Sequence, residues 1–123
     1  MPEPASALPL SCCQPLTAPQ RPPLSEDAAV AMEHLFKIMA NATRLRMINA
    51  IAANGEICVS DLAAAVGTTP QVVSNQLQRL VDRGMLASQR RGSHIFYRVV
   101  NPCLLAVLDY GLCILNSSAD EPK

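Results

Sequence analysis

No apolar run in this sequence is long enough to cross a bilayer. The most apolar stretch, Leu104 to Leu115, is interrupted by Asp109 and falls short of the roughly 20 residues a spanning helix needs. A basic segment leading into an apolar one is also missing at the start, so no secretory leader is expected. Both absences point to a soluble, cytoplasmic chain with no membrane partner. There is no CxxC, no CX5R and no glycine-rich loop, which removes the usual frames for a thiol nucleophile or a phosphate cradle. A small thiol-dependent reductase is thereby disfavoured, and no catalytic residue is assigned. Cysteine comes in an odd number, five, and a reducing compartment does not sustain a disulfide framework. The thiols are left with ligand, sensing or packing roles.

Net charge is absent too, with ten Lys and Arg against ten Asp and Glu, but the charge is sorted along the chain. Residues 77 to 98 carry Arg79, Arg83, Arg90, Arg91 and Arg98 against Asp82, and the flanking stretches are each acidic by two. A basic segment inside a neutral chain suits a small DNA-binding unit; a solvated arginine face is the plainer alternative.

With 123 residues, half of them apolar, the chain can build one core and one domain. Residues 1–24 hold seven of the ten prolines and no apolar periodicity, and read as a flexible arm carrying Cys12 and Cys13. Ser25 with Glu26 and Asp27 starts a first helix over about 26 to 40, in which Met32, Leu35, Phe36 and Met39 form one stripe expected to be buried. Asn41 caps a second helix, whose Leu45, Met47, Ile48, Ile51 and Ala52 face inward and which ends at Asn54-Gly55. After a short extended link, Ile57 to Val59, Ser60 is expected to cap a third helix closed by Gly67. Thr69, with Pro70 at the first helical position, caps a fourth. Two short helices about three residues apart make a helix-turn-helix.

In the fourth helix Val73, Leu77, Leu80 and Val81 share one side, while Gln71, Asn75, Gln78, Arg79 and Asp82 fall on the other. Two alternating strands, MLASQR and HIFYRVV, follow around Arg91-Gly92-Ser93 and form a β-hairpin wing. Asn101-Pro102 opens a last helix whose Leu104, Leu105, Leu108, Leu112 and Leu115 are too apolar for the surface of a small monomer. The fold class is therefore mainly α with a β-hairpin wing, a winged helix-turn-helix that forms a homodimer through its terminal helices. The domain spans 25–117, and 118–123 read as a disordered tail.

A helix that presents Gln71, Ser74, Asn75 and Gln78 suits the major groove of double-stranded DNA, where amides pair with adenine edges. Arg79 and Arg83, with Arg90, Arg91 and His94 on the wing, fall where phosphates would lie. A dimer would set two such helices on a palindromic operator. The competing reading is a winged helix used only for protein contacts, which leaves the arginines and outer amides without a task.

The run from Phe36 to Val100, with NATRLRMI, ICVSDLA, VSNQLQRL and RGSHIFYRV as its specific signs, resembles the ArsR/SmtB family of metal-responsive repressors over roughly residues 30 to 115. The resemblance implies a homodimeric repressor that leaves its operator when an inducer binds. Zinc-type relatives place an Asp and a His near the start of the last helix and a His and a carboxylate near its end. Here Asn101 and Cys103, then Ile114 and Ser117, stand there, so that hard-ligand site is lost. Cadmium-type relatives carry CVC before the third helix, of which this chain keeps Cys58 and replaces the second cysteine with Ser60. Arsenic-responsive relatives place adjacent cysteines in the arm, as LSCCQP does at Cys12 and Cys13.

Three thiolates are a soft donor set, unsuited to Mg²⁺ or Ca²⁺ and suited to Cd(II), Pb(II), Cu(I), or As(III) and Sb(III), the last two of which the family resemblance implies are held by three sulfurs. Cys12, Cys13 and Cys58 are the first candidate site, Cys103 and Cys113 the second, the latter pair meeting only across antiparallel helices of two subunits. The bland readings are idle arm thiols and a Cys58 packed as a small hydrophobe. His34 and His94 are not expected to be ligands. A thiol redox or persulfide sensor of the same fold is the alternative function, with a disulfide between adjacent Cys12 and Cys13 strained.

Overall fold

The computed structural model describes residues 17–120, with side chains to residue 117. Cys12 and Cys13 lie outside the described residues. After a single 3-10 turn, Ala18–Gln20, the order is α1 (Glu26–Met39), α2 (Ala42–Asn54), β1 (Ile57–Cys58), α3 (Val59–Val66), α4 (Pro70–Asp82), β2 (Leu86–Arg91), β3 (His94–Val99) and α5 (Pro102–Asp120). The turn Ala18–Gln20 falls inside the segment read as an arm, where Thr17 and Gln20 cap each other. At the other end, α5 continues into the stretch read as a tail.

The helix starts follow the side-chain chemistry at four of the five expected caps, Asn101 Oδ1 at the last helix accepting from Cys103 N–H at 2.9 Å. Ser25 Oγ accepts from Ala28 N–H at 3.1 Å, Asn41 Oδ1 from Arg44 N–H at 2.9 Å, and Thr69 Oγ1 from Val72 N–H at 3.3 Å. The remaining expectation is corrected: α3 starts at Val59 with Cys58 as its cap residue, and Ser60 is an exposed member of the first turn. The reason is that Cys58 is still paired to Phe96 in the sheet, so the chain turns from strand into helix with no residue between. Gly67 ends α3 at φ 75°, ψ 40°, a left-handed conformation that a side chain would strain; this turn sets the angle between α3 and α4.

The sheet has three antiparallel strands in the order β1-β3-β2, so the link read as merely extended is its third strand. β2 sits one residue along from the expected strand, β3 starts at His94 as expected and stops one residue early, and the turn is only Gly92-Ser93, with Gly92 at φ 63°. Register puts Ala87, Gln89 and Arg91 of β2 beside Arg98, Phe96 and His94 of β3, with Cys58 beyond Phe96. These side chains share the outer face, because neighbours across strands point the same way. The inner face carries Leu86 and Tyr97 into the core, which α2, α3 and α4 complete with Met47, Ile51, Leu62 and Leu77.

The first-helix stripe is buried only at its end. Met39 and neighbouring Ile38 enter the core, but Met32 and Phe36 remain 42 % and 46 % exposed. On α5 only Leu104 is deeply buried among the described residues, and Leu112, Ile114 and Leu115 stay 57 to 67 % exposed. A single chain therefore leaves two apolar helix faces uncovered.

Candidate nucleic-acid interface and sensor thiols

The amphipathic pattern of α4 decides how it is presented. Val73, Leu77 and Leu80 are fully buried, which fixes the helix against α2 and α3, and each such burial contributes about 1.5–3 kcal/mol. The opposite side then has to face solvent. Gln71, Asn75, Gln78, Arg79 and Arg83 are all exposed there, while Ser74 is half-buried at the edge of that face. The amides are ordered along the helix: Gln71 Nε2 donates to Asn75 Oδ1 at 3.2 Å and Gln78 Nε2 to Asp82 Oδ1 at 2.7 Å. Amide groups held in a row on a protruding helix can exchange these mutual bonds for base edges.

Two features of the surroundings of this helix were not foreseen. Arg44, inside the NATRLRMI motif, donates from Nη1 to the Ile38 carbonyl at the end of α1 and from Nη2 to Gln76 Oε1 of α4 at 2.6 Å. It ties the end of α1 to the exposed-face helix, while its Nε is buried without a partner. Burial first, and the positive charge of Arg79 second, hold the Arg44 guanidinium below its ordinary pKa. An anion placed on Arg79 would relieve that repulsion.

The other feature is on the wing. Arg91 forms a bidentate pair with Glu56, Nη1 to Oε1 at 2.8 Å and Nη2 to Oε2 at 2.7 Å, and a further bond to Gln89 Oε1 at 2.9 Å. Its guanidinium lies 4.7 Å from the Phe96 ring centroid, and His94 meets the same ring edge-on at 6.5 Å. The hydrogen bond from Arg91, ahead of the charges of Arg91 and Arg98, holds the Glu56 carboxyl below the ordinary carboxylate range. In turn Arg91 is raised. Arg90 is exposed on the other side of the strand.

Among the described residues, no group of three or more His, Cys, Asp or Glu side chains is close enough to hold a metal ion. Cys58 is half-buried on the outer face of the sheet, and Cys103 and Cys113 are exposed on α5. Ten residues of helix separate the last two by about 15 Å along the axis, so one ion cannot bridge them within a chain. Between α5 and the end of α1 and start of α2 runs an apolar groove of about 630 Å³, lined by Phe36, Leu45, Val107, Leu112 and Leu115 among others. No helix of the described residues is long and apolar enough to cross a membrane.

Comparison with known proteins places this architecture. The family model described as winged helix-turn-helix DNA-binding matches residues 41–86, which run from the cap of α2 into β2. The crystal structure of the AntR antimony-specific transcriptional repressor is similar at a TM-score of 0.74 and 47 % identity, over 85 % of this chain and 94 % of that one. Among curated proteins, the transcriptional repressor SmtB homolog of Synechocystis is 35 % identical over 78 residues, 63 % of this chain and 58 % of that protein. The arsenic resistance transcriptional regulator ArsR1 of Pseudomonas putida is 37 % identical over 65 residues, 53 % and 51 % of the two chains. This chain thus spans a little over half the length of those two curated relatives. These relatives are transcriptional regulators and not enzymes, and the family model covers the helix-turn-helix, where the outer amides and Arg79 lie. The chain belongs to the ArsR/SmtB family of winged helix-turn-helix transcriptional repressors.

Proposed function

We propose that this protein is a cytoplasmic, homodimeric repressor that binds a palindromic operator and is released when a thiophilic ion binds cysteine thiolates. The observation that carries the DNA reading is α4, whose buried Val73, Leu77 and Leu80 leave Gln71, Asn75, Gln78 and Arg79 outward. Base edges are the task of Gln71, Ser74, Asn75 and Gln78. Phosphates fall to Arg79, Arg83, Arg90, Arg91 and His94. The second copy covers the apolar groove and the exposed faces of α1 and α5, whose leucines otherwise stay in water.

For the inducer, the antimony-specific name of the similar repressor and the arsenic-resistance name of the curated relative support As(III) or Sb(III), with Cd(II) or Pb(II) as softer-metal competitors. Cys58 supplies one thiolate. It sits beside Phe96 on the sheet face that carries Arg91, so an ion there acts next to the wing. Cys12 and Cys13 supply the other two sulfurs, and binding orders the arm at an entropic cost that the metal–sulfur bonds offset. The second site pairs Cys103 of one subunit with Cys113 of the other, a reading favoured by the exposure of both thiols on the uncovered helix.

The test is operator binding by fluorescence anisotropy on the reduced protein, titrated with As(III), Sb(III), Cd(II), Pb(II) and Zn(II), for the parent and a Cys12→Ser/Cys13→Ser variant. Release by a soft ion that disappears in the variant supports the arm site. Release that persists moves the sensor to Cys103 and Cys113, and release by oxidant alone supports the redox alternative.

A further inference from the structure

The wing holds one arginine differently from the others. Arg79, Arg83 and Arg90 are exposed side chains, whereas Arg91 is fixed on three sides: by both oxygens of Glu56, by Gln89, and by the Phe96 ring beneath it. Glu56 does not belong to the wing. It comes from the loop between α2 and β1, and by the register of β1 on β3 it stands next to Arg98. A carboxylate inside a basic patch that faces an anion costs affinity unless it does something for the patch.

A guanidinium has five N–H donors, and the bonds to Glu56 and Gln89 use three. Two donors are left over, on a side chain still 46 % exposed at the tip of β2. A loose arginine gives up its rotamer freedom on meeting a phosphate; one already clamped has given it up before DNA arrives. The clamp also joins the wing tip to the body of the protein, since Glu56 lies two residues past the end of α2.

Resting on the operator-binding reading above, we propose that Glu56 is a positioning residue for DNA binding: it clamps Arg91 on Phe96 so that the guanidinium presents its remaining donors to a backbone phosphate. Glu56 itself touches no DNA. The opposite role, a carboxylate that masks Arg91 and keeps the wing off DNA, uses the same geometry and gives the opposite salt dependence, so the two are separable.

The experiment measures operator Kd against salt for the full chain, Glu56→Ala, Glu56→Gln, Arg91→Gln and the Glu56→Ala/Arg91→Gln double variant, with thermal midpoints as a check on folding. Two lost phosphate contacts, one from each protomer of the dimer, flatten the slope of log K against log salt by about 1.8. The affinity loss between about 50 and 200 mM salt then shrinks about 12-fold. The expected result is that Arg91→Gln and Glu56→Ala each flatten the slope by about this much, the double variant no further, and Glu56→Gln, which keeps one acceptor, by less. Midpoints stay together, which a merely structural role would not combine with a changed slope. A steeper slope or tighter binding in Glu56→Ala overturns the proposal in favour of masking, and additive losses in the double variant overturn it as well. An unchanged slope in Arg91→Gln removes the wing contact and the proposal with it. Absence of operator binding by the parent chain is a different failure, that of the repressor reading itself.

Discussion

Arg44 gives the most informative single perturbation of the scaffold. Its guanidinium bridges the Ile38 carbonyl, one of the last of α1 and so without a partner inside that helix, to Gln76 Oε1 of α4 at 2.6 Å. Hydrogen bonds from a charged donor contribute about 1.5–3 kcal/mol each. Against them stand the partial burial of the charge, the repulsion from Arg79 and the buried Nε without a partner, which together cost about 1–3 kcal/mol. The net loss expected for Arg44→Ala is about 1–3 kcal/mol, or a fall of roughly 5–20 °C in thermal midpoint for a domain of this size. Most of what α4 feels passes through Gln76. A double-mutant cycle of Arg44→Ala with Gln76→Ala, followed by urea denaturation at fixed protein concentration, is expected to give a coupling of about 1 kcal/mol. Additivity within about 0.3 kcal/mol would refute the bridge, and so would an Arg44→Ala midpoint equal to that of the parent.

Leu77, with no exposed surface, faces the core from α4, so Leu77→Ala is expected to cost about 2–5 kcal/mol in urea unfolding, with a cost under about 1 kcal/mol contradicting the packing. Glu56 has a folded pKa below the ordinary value of 4.5, so its contribution is complete above that value and fades as pH falls through the lower folded one. Carboxyl NMR titration is expected to find its midpoint below the other glutamates and to return it to the ordinary range in Arg91→Gln. Being ionised throughout, this group should give operator affinity no pH dependence between about pH 6 and 8. Leu112→Asp puts a charge into the apolar groove and is expected to shift the sedimentation equilibrium from dimer to monomer while the helical circular dichroism of the chain is kept.

Much of the scaffold was legible because local signals and burial agreed. The caps at Ser25, Asn41 and Thr69, the Gly67 turn and the α4 stripe each follow from short-range chemistry that the core then reinforces. The misses lie where tertiary pairing overrides a local cue. Ser60 is a good cap residue, yet the ladder from Cys58 to Phe96 brings the helix start forward to Val59. Periodicity alone assigned Met32 and Phe36 to a buried stripe; one chain supplies no surface to cover them. Arg44 was visible as part of a motif and Arg91 as part of a basic segment. Their partners, Gln76 and Glu56, are 32 and 35 positions away, and no pattern in the sequence joins them. Cys58, Cys103 and Cys113 were identifiable as candidate ligands, but which thiols meet is a matter of tertiary and quaternary contacts that no sequence pattern encodes.

The most direct test of the account is the reciprocity of ion and operator. Calorimetric titration of the reduced protein with Sb(III) or As(III), with and without saturating operator DNA, is set beside operator titration with and without saturating ion. Linkage requires one factor in both directions, expected at about 5 to 150. Equal factors within that range support a single protein equilibrium biased by thiolate ligation and by DNA. Operator affinity that does not change at saturating ion, while the ion binds tightly, would contradict the proposal that this repressor senses a thiophilic ion.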